Sequence, residues 1–80
     1  MLTRTYTRDN RQFIITLIEV PAGVSSYWKV QSVYDVTTTA NVVVPGVQRI
    51  TGADDFSVFV IACDRIDAWL ASELRQQDPR

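Results

Sequence analysis

Few side chains in this sequence are equipped for chemistry. The 80-residue chain has one cysteine, Cys63, and no histidine, and histidine is both the usual general base near neutral pH and the commonest metal ligand. A thiol becomes a nucleophile when a base or cation lowers its pKa. Cys63 stands between Phe59 and Ile66 in an apolar stripe, which predicts a desolvated, inert thiol. Ser25-Ser26 falls in an expected turn, and Ser57 and Ser72 fall on an expected helix, none with an activating base beside it. Asp54-Asp55 followed by Asp64 and Asp67 offers oxygen ligands for Mg or Ca, but the spacing and closing Glu of an EF-hand loop are missing. These acids are expected to solvate a helix. A zinc site draws almost entirely on Cys and His, and Gly46 and Gly52 form no phosphate-cradling motif. The sequence therefore predicts a non-enzyme with no catalytic, cofactor-binding or metal-binding residues.

Composition gives the frame for these residues. The chain is 46% hydrophobic and 21% charged with a net charge of −1, values of an ordinary globular protein rather than a disordered, collagenous or coiled-coil one. Its length predicts one small domain over residues 1–80. A lone cysteine makes no internal disulfide, and the longest clear apolar run, Val58 to Cys63, is far short of the 18 or so residues that span a bilayer. The stretch from Phe13 to Ile18, behind Arg4 and Arg8, is interrupted by Thr16 and ended by Glu19, too short for the core of a signal peptide. The expected location is the cytoplasm of a bacterial-type cell.

The elements follow from periodicity. Thr3, Thr5 and Thr7 alternate with Arg4, Tyr6 and Arg8, a period of two that predicts a strand with one basic, aromatic face. Asp9-Asn10 is a turn dipeptide, so residues 3–8 are expected to form a hairpin with residues 11–20. The second strand is apolar on both faces, Phe13, Ile15 and Leu17 against Ile14, Ile18 and Val20, and Pro21-Ala22-Gly23 is expected to stop it. Two apolar faces predict a central strand, or one with a helix on one side and a partner subunit on the other. The third strand, Tyr27 to Thr37, is expected to turn Trp28, Val30, Tyr34 and Val36 inward. After a turn at Thr37 to Asn41, Val42 to Val44 is expected to be an edge strand, broken by Pro45-Gly46 and resumed over Val47 to Thr51.

From Thr51 the pattern changes. Thr51 and Asp54 read as a capping box, and a helix is expected from residue 52 to 54 onward. At 100° per residue Phe56, Phe59, Cys63, Ile66, Leu70 and Leu74 share one face, with Ala62 and Val60 on its margins. Arg75 suits the negative end of the helix dipole, with Asp78-Pro79 beyond it. A second alternative stays open: Phe56 to Cys63 as a fifth strand, with a shorter helix from Arg65 to Gln77. The fold class expected is α+β, a three- to four-stranded antiparallel sheet packed on one C-terminal helix (β-β-β-(β)-α). Its expected core is Phe13, Ile15, Leu17, Trp28, Val30, Tyr34, Phe59, Cys63, Ile66, Leu70 and Leu74.

Two surfaces are candidates for function. The first is the helix facet Val58, Ile61, Arg65 and Trp69, spaced by three, four and four; an apolar edge with a Trp and an Arg has the composition of a protein interface. The second is the basic and aromatic set Arg4, Tyr6, Arg8, Arg11, Tyr27 and Lys29, which on a sheet face could hold single-stranded nucleic acid. The pI near 5.1 speaks against the second, because nucleic-acid modules carry a positive excess. Val44-Pro45-Gly46 and Thr51 to Phe56 resemble, loosely, the small sheet-plus-helix modules of HicB-like antitoxins, a resemblance that implies a regulatory role. The leading expectation is a non-catalytic interaction module, a homodimer or partner of another protein, using the helix facet or a sheet edge. A single-stranded nucleic-acid-binding or antitoxin-like regulatory module is the alternative.

Overall fold

The computed structural model describes residues 1–76, with side chains as far as Glu73. The strands are β1 (Leu2–Arg8), β2 (Arg11–Ala22), β3 (Ser25–Asp35), β4 (Ala40–Val42) and β5 (Thr51–Gly52), followed by the helix α1 (Asp55–Gln76). All neighbouring strands are antiparallel, in the order β1-β2-β3-β4, and β5 lies beside β3 on the same edge as β4. The fold is thus α+β, with α1 across one face of the sheet. Leu74, expected in the core, Arg75, expected at the negative end of the helix dipole, and Asp78-Pro79, expected beyond the helix, lie outside the residues or side chains described.

Short turns set the register. Asp9 and Asn10 join Arg8 to its partner Arg11, with Asp9 in the left-handed region (φ 55°) that short acidic side chains tolerate. Gly23 and Val24 join Ala22 to Ser25, and Gly23 takes φ 67°, as the first position of a tight hairpin turn requires. Pro21 does not stop β2: the strand runs through it to Ala22, beyond the end of β1, where Pro pairs with Ser26. This stretch of hairpin projects past β1, and the described molecule is accordingly long, 53 × 21 × 17 Å.

Pairing between β2 and β3 slips between Thr16 and Leu17: Thr16 faces Ser32, but Leu17 faces Val30, so Gln31 is an extra residue on β3. A bulge of one residue reverses the alternation on the bulged strand. Trp28 and Val30 keep the helix side, but beyond the bulge the inward residues are Val33 and Asp35, both buried. Tyr34 and Val36, expected to face inward, stand on the opposite face.

Val47 to Thr51 does not resume an edge strand. Gly46 takes φ 84° and diverts the chain into a single 3-10 turn, Val47–Arg49. That turn drives Val44, Val47 and Ile50 into the core. The two residues of β5 then pair with Trp28 and Lys29. The helix begins where its cap is strongest: the Ser57 N–H donates to Asp54 Oδ1 at 2.7 Å, so Asp54 is the cap, not Thr51. Residues 56–63 are helical, which settles the choice between helix and fifth strand.

The buried side of α1 is Val58, Ala62 and Ile66, flanked by Phe59, Cys63, Trp69 and Leu70. Relative to the expected stripe the helix is rotated by about 90° at 100° per residue, leaving Phe56 57% exposed. Small residues explain the choice. A Cβ added to Gly52 would stand 3.0 Å from Val58 Cγ2, so Gly52, Val58 and Ala62 let the helix approach the sheet more closely than a row of Phe would. Of the expected core, Phe13, Ile15, Leu17, Val30 and Ile66 are buried, whereas Trp28, Phe59, Cys63 and Leu70 are partly buried around them.

Candidate interaction surface

The even-numbered residues of β1 face the helix. Tyr6 pairs with Phe13 and Arg4 with Ile15, both core positions of β2, so Arg4, Tyr6 and Arg8 lie on the covered side of the sheet. Each meets an acid there. Arg4 Nη2 donates to Asp55 Oδ2 at 2.8 Å, and its guanidinium lies over the rings of Phe56 and Phe59 at 5.7 and 5.6 Å. Tyr6 donates its hydroxyl proton to Asp67 Oδ1 at 2.5 Å, and Arg8 pairs with the other oxygen of that carboxylate at 3.3 Å. Arg11 pairs with the fully buried Asp35 and lies over Phe13 and Trp69 at 5.4 and 5.6 Å.

The pKa shifts follow from these contacts. The Arg4 guanidinium holds the Asp55 carboxyl below its usual value, against a smaller opposing effect of burial. Burial pushes Asp35 upward, but hydrogen bonds from Arg11, Thr38 and the Thr37 N–H, with the charge of Arg11, outweigh it and leave the group lowered. Burial first, and then the hydrogen bond to Asp67, raise Tyr6. The acid-rich helix and base-rich first strand are therefore two halves of one clasp.

The six residues expected to form a basic, aromatic face are split. Arg4, Tyr6, Arg8 and Arg11 are on the helix side, paired with carboxylates. Tyr27 and Lys29 face the other way, opposite Val20 and Ile18. The helix facet also comes apart. Val58 is fully buried and belongs to the core, because the helix rotation turns it toward Gly52. Trp69 is half-buried and meets Phe13 edge to face at 6.4 Å. Only Ile61 (40% exposed) and Arg65 stay at the surface. Arg65 and Trp69 join Pro45, Ala68 and Ser72 around a shallow depression of about 260 Å³.

The surface that sequence reasoning did not assemble lies on the side of the sheet away from α1. Ile14, Ile18 and Val20 of β2 alternate with the buried Phe13, Ile15 and Leu17, so they point outward. Beside them across the β2–β3 ladder stand Tyr34, Lys29 and Tyr27, and Val36 follows at the end, its N–H bonded to the Gln12 carbonyl. None of these apolar side chains belongs to the core or packs against it. They are half-buried by their neighbours in the sheet, and α1 lies on the opposite side. Thr3, Thr5 and Thr7 complete the face along β1, whose outer edge has no strand beside it among the described residues. Both apolar faces of β2 are visible in the sequence, but the bulge at Gln31 hides that Tyr34 joins Ile14.

Chemically this face can bury apolar area and offer hydroxyls and one ammonium. Cys63 is far from nucleophilic: burial, with a smaller effect of Asp67, pushes its thiol up to about 11. Among the described residues no group of three or more Cys, Asp or Glu side chains is arranged to hold a metal ion, and no helix is long and apolar enough to cross a membrane. Comparison with protein-family models, curated proteins and solved structures gives no match, so the resemblance to HicB-like antitoxins gains no support.

Proposed function

We propose that the chain is a small non-catalytic protein-interaction module whose binding surface is the uncovered sheet face. The observation that carries this is the row Ile14, Ile18 and Val20 with Tyr34 and Tyr27 beside it, apolar and without a covering layer among the described residues. A sheet with two apolar faces is stable in water when each is covered, and α1 covers only one. Contiguous apolar area of this kind on a small protein marks an interaction site. The non-catalytic part rests on the absence of histidine and on the unreactive state of Cys63. Nucleic-acid binding draws less support, because Arg4, Arg8 and Arg11 already have carboxylate partners and phosphate contacts would need them free.

Sedimentation velocity of the fluorescently labelled chain, alone and in extract of its source cells, tests the proposal. The expected result is a species heavier than the monomer that Ile18→Glu abolishes and Ile61→Glu leaves intact. A chain that sediments as a monomer in both solutions overturns it.

A further inference from the structure

Resting on the interaction module just described, we infer that the occupant of the open sheet face is a second copy of this chain, packed face to face and antiparallel about a two-fold axis at the Thr16 row. The pattern on the face carries this. Along β2 and β3 there are two apolar clusters: Ile14 with Tyr34, and Ile18 and Val20 with Tyr27. Between them runs a row of hydroxyls, Thr3, Thr16 and Ser32, paired in register across three strands. A self-complementary surface needs features that a two-fold axis exchanges. An axis along this hydroxyl row, across the strands, lays each apolar cluster of one copy on the other cluster of its mate.

Charge selects that orientation over its rival. Lys29 is the one charged side chain among the ladder residues of this face, sitting beside Ile18. The antiparallel arrangement brings each Lys29 over the Tyr34 ring of the other copy, where an ammonium is attracted by the aromatic face, and keeps the two ammonium groups apart. An axis parallel to the strands would set Lys29 against aliphatic side chains and strand its charge. The area also fits. β2 has 12 residues, about 40 Å at roughly 3.3 Å each, and three strands about 4.8 Å apart give on the order of 500 Å² of projected face. A flat projection of this size understates the rugged accessible surface and stands near the lower end, roughly 600 Å² per partner, of stable interfaces. Two sheets about 10 Å apart would then make a four-layer helix-sheet-sheet-helix dimer.

Light scattering on the purified full chain across a wide concentration range tests this. The expected mass is twice 9.1 kDa, falling to the monomer in Ile18→Glu with Trp fluorescence unchanged, because Ile18 is not part of the core. In a Cys63→Ser background, a short bismaleimide, which spans the gap between facing sheets that a disulfide cannot, should join Thr16→Cys into a covalent dimer and leave Ile61→Cys monomeric. Lys29→Glu, a milder change at a half-exposed site, should weaken the dimer about tenfold. A wild-type chain that stays monomeric overturns the inference, while the sedimentation experiment in extract still decides whether the face binds another protein. A dimer that survives Ile18→Glu but not Ile61→Glu overturns both. A dimer indifferent to Lys29→Glu overturns the antiparallel arrangement.

Discussion

Asp35 carries the sharpest single-residue consequence. It is fully buried and accepts hydrogen bonds from Arg11 and from the Thr37 N–H at 3.0 Å, closing the end of the core between β2 and the turn after β3. Asp35→Ala would leave Arg11 and that N–H unpartnered, at an expected cost of about 2 kcal/mol in urea unfolding. This is less than for a wholly buried pair, because the Arg11 side chain is about a third exposed. The same group sets an acid limit. Asp35 and Asp55 both have lowered pKa values, so the unfolded chain binds protons more readily than the folded one. Their stabilisation is present above about pH 4 and is lost as pH falls through the lowered values. The urea midpoint should therefore drop between pH 5 and pH 3, less steeply in Asp35→Asn. Cys63 provides a second check. With its thiol near 11, reaction with a disulfide reagent at pH 8 should be at least about tenfold slower in native protein than in urea.

At the scale of elements, close approach and backbone conformation matter most. Gly52→Ala would push a methyl against Val58 Cγ2, itself fixed in the core. The expected loss is roughly 1 to 3 kcal/mol, read as a lowered thermal midpoint. Thr39 holds φ 53° in the turn between β3 and β4, a conformation that β-branched residues resist. Thr39→Asn should stabilise the protein by about 1 kcal/mol. The three long strands, the Asp9-Asn10 turn and the long helix were legible in the sequence because period and turn chemistry agree there, whereas Pro21-Ala22 and Ser25-Ser26, which carry turn residues, belong to the strands on either side of Gly23-Val24. Three things were not. The side of the helix that faces the sheet was hidden because Val58 and Ala62 bury better than Phe56 for steric reasons that arise only against Gly52. The 3-10 turn was hidden because Val47 to Ile50 has strand propensity that Gly46 overrides. The basic strand was legible as a stripe, but its partners Asp55 and Asp67 lie on the helix, far along the chain, and no local pattern reports a contact across that distance.

For the molecule as a whole, opposite charges are segregated between the first strand and the helix, and they meet across the core edge. Arg4 with Asp55 and Arg8 with Asp67 are partly exposed pairs, each of small value alone, but together they orient α1 along β1. Exchanging the partners as Arg4→Asp with Asp55→Arg should restore only part of the stability that either single change removes, because the Arg4 contacts with Phe56 and Phe59 are lost and a cation enters the first turn of α1, measured by a double-mutant cycle in urea. The bulge acts on the same scale. Because Leu17 already stands opposite Val30, the ladder has no place for Gln31 and does not need it. A chain lacking Gln31 should keep the Leu17 to Val30 cross-strand NOE and every inward side chain, yet lose the local bend and extra twist that such an insertion imparts. Gln31 is then a hinge angle written as a single residue: it sets the direction in which the arm ending at Gly23 leaves the body, independently of what the core contains.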